Sequence, residues 1–331
     1  LGVCTTRTWF RNVGRFPPVG TAGAARGLGM TQPSDVAGRE VESPDEFGLR
    51  AAAWLEENRA DAPRDYGAIL PPELAEEGRR WQARLFESGF AGISWPTGFG
   101  GQGLTPEHNA AWITECALAQ VPPFINMVGC VLTGAALLAF GTPEQQAEHL
   151  RPIITGERIW CQLFSEPGAR HRGISFFLLD MSSDGVETRP LRQMNGQADF
   201  DEVFLDEVSV PAANLLGPEN EGWTVGMSAL TNERGYIGAS GISLRRRLDS
   251  MLEVGGSLDP LQRQELVRLW SRGAALWAMG RRQGPVASVL GSLAKLGTTE
   301  LMWDFAAFRA GLERAGTMLE CDTTSGLLSA P

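Results

Sequence analysis

Histidine is scarce: His108, His149 and His171 are all there are in 331 residues. Zinc coordination and Ser-His-Asp chemistry have little to work with here, so each histidine is assigned a surface or capping place. The cysteines (Cys4, Cys116, Cys130, Cys161 and Cys321) are odd in number and widely spaced, without a C-x-x-C pair. That argues against a disulfide frame or a thiolate metal site and fits buried thiols in a reducing compartment, here the cytoplasm. No apolar run reaches membrane-spanning length; the longest, "VLTGAALLAF", ends at Gly141-Thr142-Pro143. Acidic residues are missing from 1–29, which hold Arg7, Arg11, Arg15 and Arg26, so the remainder is more acidic than the overall charge of −10. An acidic body argues against a nucleic-acid partner and suits a soluble enzyme without a membrane partner.

What is present is ordinary globular material. Residues 1–29 are Gly-rich and acid-free, and "MTQPSDVAGRE" from Met30 resembles a start; the segment is either translated upstream sequence or a targeting signal, and it is set outside the fold. Up to about 160 the pattern is helical. "EFGLRAAAWLEENR" spaces Phe47, Leu49, Ala52, Ala53 and Leu55 at helical intervals, and "ELAEEGRRWQARLFESGF" does so with Leu74, Trp81, Leu85 and Phe86 before Gly89. Thr105-Pro106 and Thr142-Pro143 are N-cap and first-turn pairs. Between 158 and 211, "RIWCQLF", "ISFFLLDM", "VETRPL" and "FDEVFLDEVSVP" predict a small sheet region of about four strands. Helices return over 221–253, 260–283 and 287–313. The order helices, strands, helices lacks βαβ alternation and excludes a doubly wound nucleotide fold. The fold class is therefore mainly α with a middle β domain.

Each motif has a plain reading beside its chemical one. "GFGGQG" contains Gly98, Gly100 and Gly103 in G-x-G-x-x-G spacing, but Pro96 precedes it and the next helix starts only at Pro106. Without a βαβ unit it is a tight structural loop. "LFSEPGA" is a turn that places the Ser165 hydroxyl and free backbone N–H groups where a flat cofactor could accept them. In "EGWTVGMSALTNERGYIGAS", Gly226, Leu230, Glu233 and Ile237 fall on one helical stripe. A carboxylate there loses hydration, which favours a general base; a helix-end ion pair is the equal alternative. Arg234 lies one step, about 100°, round the helix, where it could meet an anionic ligand. Arg245, Arg246 and Arg247 are a solvated helix face.

Taken in order, "ISWPTGFGGQG", "LFSEPGA", "HRGISFFLLDM", "RPLRQMNGQADFDEVFLDEVSVP", "LLGPENEGW", "NERGYIG" and "SLAKLGTTEL" resemble the acyl-CoA dehydrogenase family over roughly 45–330, in its actinobacterial fatty-acid and steroid-side-chain branch. The resemblance implies an N-terminal helical domain (30–159), a middle β domain (160–211) and a C-terminal helical bundle (212–331). It implies bound FAD, an acyl-CoA substrate, an electron-transfer flavoprotein as acceptor, and a homo- or hetero-oligomer. The implied reaction is α,β-desaturation of the thioester, with Glu233 matching the base, Arg234 a residue near the CoA side, and Gln162, Leu163, Phe164, Ser165 and Gly168 the stretch against the flavin.

Two departures bear on this. In the family, "SEPGA" continues through further strands before the one matching "GISFFLLDM"; here Ala169 runs straight into Arg170-His171-Arg172. The chain also stops at "GLLSAP", before a C-terminal segment that helps hold FAD in the family. The expectation is a truncated β domain and an incomplete bundle. "ISFFLLD" is expected to lose edge partners, with weak FAD retention and impaired activity. The alternative reading is a non-catalytic subunit or pseudoenzyme that associates with a complete dehydrogenase.

Overall fold

A computed structural model describes residues 2–6, 42–64, 70–164, 173–194, 198–239, 248–252, 258–280 and 287–313. They form a mainly helical chain with small sheets, the expected class. Two compact units result: Leu1–Arg50 with Gly78–Asn109 and Phe124–Ala229, and Ala51–Glu77 with Ala110–Pro123 and Leu230–Pro331.

Helix starts follow the local chemistry. Helix α1 (Pro44–Asn58) and α2 (Ala75–Glu87) are followed by α3 (Pro106–Ala119), α4 (Gly134–Phe140) and α5 (Pro143–Thr155). At α5, Gln145 N donates to Thr142 Oγ1 (3.3 Å) and Thr142 N donates to Gln145 Oε1 (3.0 Å), closing a capping box. At α3, the Thr105 hydroxyl meets His108 Nδ1 at 2.9 Å, and His108 Nε2 lies 2.9 Å from Glu42 O. His108 is thus a cap, but a buried one, edge-on to Phe47. His149 is also buried rather than at the surface, because its ring packs against Trp160 at 5.5 Å. His171 lies outside the described residues.

The inward arc of α1 is shifted from the sequence pattern. Phe47, Ala51 and Leu55 are buried, whereas Leu49 is 73% exposed. Steps of four residues keep the first three on one face and turn Leu49 about 160° from Phe47's neighbour Ala51. In α2 the buried set is Gly78, Trp81, Gln82 and Leu85, and Gly89 takes φ +77° at the expected break. The "GFGGQG" stretch is the structural loop expected. Gly100 has φ +87°, and a Cβ on Gly101 would lie 2.3 Å from Trp95 O. A π-helical turn over Val128–Thr133, invisible in the sequence pattern, precedes α4.

The strands β2 (Cys161–Leu163), β3 (Ser175–Leu179), β4 (Val186–Leu191) and β5 (Phe200–Leu205) fall in the four predicted segments. They do not share one sheet. β4 and β5 form a two-stranded antiparallel ribbon, and the other sheet runs β2-β1-β3-β6, with β1 at Gly2–Thr6 and β6 at Leu215–Leu216. Residues 2–6, set outside the fold on sequence grounds, therefore pair parallel to β2 and antiparallel to β3. The local pattern could not show this, since the partner strands lie more than 150 residues along the chain. β3 also pairs with β6, so it does not lose its edges; all five of its residues are buried. One face packs Phe177 and Leu179 with Val208 and Val210, and Leu163, Val186 and Leu205 pack against that cluster. Each fully buried side chain of this size adds about 1.5–3 kcal/mol.

Helix α6 (Gly222–Ala239) begins against β3. Gly222 N donates to Ile174 O (2.9 Å), and a Cβ at 222 would lie 2.7 Å from the Ser175 carbonyl carbon, so only glycine permits this start. The continuation expected to 253 crosses residues outside those described. In the second unit, α7 (Pro260–Gly280) and α8 (Ala287–Glu313) pack through Leu266, Leu269, Leu301 and Phe305, joined by Leu248. Arg272 donates to Asp304 between the two helices.

Candidate active site

The segment entering β2 is fixed before the strand begins. Asn126, 1% exposed, donates through Nδ2 to Ile153 O (3.0 Å) and Arg158 O (2.8 Å), and its Oδ1 accepts from Trp160 N (3.0 Å). One amide thereby joins the end of α5 to the residue that precedes Cys161. A Cβ on Gly129 would lie 2.5 Å from that amide, so the π-helical turn needs glycine beside it.

Along β2 and its end, Gln162 is exposed, and Leu163 and Phe164 are half-buried. Phe164 meets Phe176 of β3 edge-on, with ring centroids 5.7 Å apart. Gln162 and Phe164 share one face, an amide able to donate and accept beside apolar surface, while Leu163 turns to the Phe177 cluster on the other. That donor set fits the edge and face of a flat heteroaromatic ring such as a flavin. Ser165 and Gly168 lie outside the described residues, as do Arg245, Arg246 and Arg247.

On α6, Gly222, Val225 and Ala229 are buried, while Gly226, Leu230 and Glu233 are half-buried. The buried stripe is therefore one residue off the predicted one. Glu233 flanks it, four residues after Ala229 and eight after Val225. Its carboxylate is neither sealed in the core nor fully in solvent. Arg234 is described only by its place on the α6 backbone, next to Glu233. Gln162, Leu163 and Phe164 belong to the first compact unit and Glu233 to the second.

Nearby titratable groups are constrained by burial. The Cys130 thiol is pushed up to about 12 by desolvation, which keeps it protonated and inert. His149 is held below its ordinary value, chiefly by burial, while Glu148 opposes and Arg158 adds to the shift. Arg158 donates to His149 Nδ1 at 2.9 Å, which fixes that nitrogen as the acceptor. Asn126 and Gln145 have no sequence signal that marks them as positioning residues. Gln145 Nε2 donates to Ala213 O (2.7 Å) and Leu215 O (3.0 Å), links that span almost 70 residues. Among the described residues no group of three or more metal-ligating side chains occurs, and no helix is long and apolar enough to cross a membrane.

A helical chain interrupted by small sheets is shared with a family of known enzymes. Residues 50–157 match the family described as acyl-CoA dehydrogenase, N-terminal domain. Acyl-CoA dehydrogenase IpdE1 of Mycobacterium tuberculosis is 30% identical over 322 residues, covering 80% of this chain and 83% of that protein. Acyl-CoA dehydrogenase FadE34 of the same organism is 32% identical over 245 residues, covering 59% of this chain and 34% of its own length. Among solved structures, the Tcur3481-Tcur3483 steroid acyl-CoA dehydrogenase superposes with a TM-score of 0.70 at 19% identity, covering 88% of this chain and 90% of that one. The ChsE4-ChsE5 complex from Mycobacterium tuberculosis gives 0.67 at 21% identity, also covering 88% and 90%. The chain belongs to the acyl-CoA dehydrogenase family.

Proposed function

We propose that this chain carries out FAD-dependent α,β-dehydrogenation of an acyl-CoA thioester in the cytoplasm. The observation that carries the reading is Glu233, half-buried on α6 beside a buried apolar stripe, in a chain of this family. A carboxylate is a side chain that can take a proton from carbon, and at 233 it borders apolar surface on one side and solvent on the other. Glu233 takes the proton α to the thioester carbonyl. Arg234 meets the anionic CoA. Gln162, Leu163 and Phe164, continued by Ser165 and Gly168, hold the flavin. When bound, the flavin supplies the acceptor for the β-hydrogen, and an electron-transfer flavoprotein removes the electrons. The paired and buried state of β3 supports flavin retention, against the weak retention expected from the shortened β domain.

Association with another chain is part of the proposal. Val289, Leu293 and Leu296 are exposed on α8 at steps of four and three residues, and Trp303 is exposed two turns further on, beyond the exposed Glu300. The ChsE4-ChsE5 neighbour is a complex by its title, and the Tcur3481-Tcur3483 neighbour carries two protein names in its title. That observation keeps a second reading in view: a subunit without its own activity, paired with a complete dehydrogenase.

The experiment is anaerobic titration of the purified, flavin-loaded chain with fatty acyl-CoA and steroid-side-chain acyl-CoA thioesters. Bleaching of the flavin by at least one of them is the expected result. Bound flavin that stays oxidised with every thioester, in a chain that co-purifies with a second dehydrogenase, would favour the subunit reading instead.

A further inference from the structure

The sheet order β2-β1-β3-β6 gives β1 an unusual position. β2 is three residues long, and among the described residues its ladder runs to β1 through Gly2–Cys161, Val3–Gln162 and Cys4–Leu163. β1 in turn pairs with β3 over five residues, from Gly2–Leu179 to Thr6–Ser175. The strand carrying Gln162 and Leu163 is thus linked to the rest of its sheet through Gly2–Thr6.

We infer that Gly2–Thr6 is a donor strand, filling a one-strand slot between β2 and β3 and setting the position of the Gln162–Phe164 strip. The slot is built from both sides. Trp160 is tied to Asn126 just before β2, Phe164 packs on Phe176 just after it, and Ser175–Leu179 is buried throughout. Neighbouring strands lie about 4.8 Å apart, so β2 and β3 stand about two spacings from each other and cannot pair directly without one of them moving. An empty slot would leave the backbone groups along one edge of a buried strand without partners. What fits it is an extended segment that runs parallel to β2 and antiparallel to β3 and contains no proline. "GVCTT" meets those terms with Val3, Thr5 and Thr6, all β-branched. This is strand addition with the donor supplied by the same chain, more than 150 residues before its partners. Its effect on flavin binding rests on the function proposed above; the strand placement does not.

The test uses the full chain with two cysteine pairs. T6C with S175C joins residues that are register partners; T5C with S175C is displaced by one residue, which turns the side chain to the other face. Both pairs lose the same hydrogen bond from Asn220 N to the Ser175 hydroxyl, so they compare directly. After mild oxidation, digestion and mass spectrometry, the 6–175 cross-link is expected in monomer-sized protein at about tenfold the yield of 5–175, as a difference of about 1.4 kcal/mol in favour of one register requires. Equal yields, no 6–175 cross-link, or a 6–175 link confined to dimer-sized protein would each overturn the inference. As a second measurement, Thr5→Pro is expected to speed hydrogen exchange at the Gln162 and Phe177 amides about tenfold, the loss of about one ladder hydrogen bond. Leu269 on α7 reports whether the change is local: unchanged exchange at 162 and 177 beside a normal Leu269 contradicts the inference. The flavin content of the cross-linked protein separates the two proposals. A 6–175 link without flavin retains the strand and removes the enzyme reading; flavin without the link does the reverse.

Discussion

Asn126→Ala removes three hydrogen bonds at one buried point. The wild-type amide serves two carbonyls, those of Ile153 and Arg158, and one amide N–H, that of Trp160, at 2.8–3.0 Å. Alanine serves none of them and admits no replacement partner at a residue 1% exposed. Each such bond is worth about 1 kcal/mol net, and a buried group left unpaired costs about 1–3 kcal/mol, so the expected loss is about 3–5 kcal/mol. At about 2–4 °C per kcal/mol for a domain of 150–250 residues, the midpoint of the transition that includes α5 and β2 falls by about 10 °C. Differential scanning calorimetry on the full chain reads this. Asn126→Asp is the partner variant: it retains an acceptor for Trp160 N but presents a carboxylate to two carbonyl oxygens, so it is expected to be at least as damaging. Asn126→Ala within about 0.5 kcal/mol of wild type, the usual range for a surface change, would refute the claim that this amide fixes the entry to β2.

Three more outcomes follow from the same geometry. Gly101→Ala forces a Cβ to 2.3 Å from Trp95 O and is expected to abolish soluble expression or cost more than about 3 kcal/mol, whereas Gly98→Ala, with nothing within 4 Å, stays within about 0.5 kcal/mol; urea denaturation compares them. Gln145→Ala removes the side-chain half of the capping box of α5, the acceptor for Thr142 N, and both bonds to the backbone at Ala213 and Leu215, an expected loss of about 2–3 kcal/mol by the same assay. His149 binds its proton less readily folded than unfolded, so the unfolded chain takes up more protons below about pH 6.5; its contribution is complete above that pH and is lost as pH falls through the lowered folded value. His149→Gln is expected to flatten the decline in stability between about pH 6.5 and 5 seen by thermal melts, and an unchanged slope would count against it.

Much of this was legible in the sequence because it is local. Thr142 caps α5 with its own hydroxyl, Pro106 and Pro143 open α3 and α5, and the short apolar runs at 161, 175, 186 and 200 are strands. Gly89 and Gly100 sit where a left-handed backbone ends a turn. What was hidden depends on distance along the chain. β1 is short, lies in a Gly-rich and Arg-containing stretch, and gains its strand character only from partners beyond residue 160. β3 seemed stripped of neighbours for the same reason. The inward arcs of α1 and α6 lie a residue or two from the sequence pattern, since the buried residues at 51, 222 and 229 are small ones with little hydrophobic signal, Gly222 being buried against the Ser175 backbone. In the candidate site, Gln162, Leu163, Phe164 and Glu233 are proposed from order and spacing. The amides of Asn126 and Gln145 could not be, because a buried polar side chain has no periodic signature and its partners are carbonyls that any residue could supply.

Proton removal at the α-carbon by Glu233 is the central claim, and isotope exchange isolates it from electron transfer. The flavin-loaded chain is incubated in heavy water with an acyl-CoA, and deuterium entering the α-position is followed by mass spectrometry. Wild type is expected to exchange while Glu233→Gln, with the same flavin content, falls by about 100-fold or more, the usual contribution of a positioned base. Exchange at the wild-type rate in that variant would contradict the account.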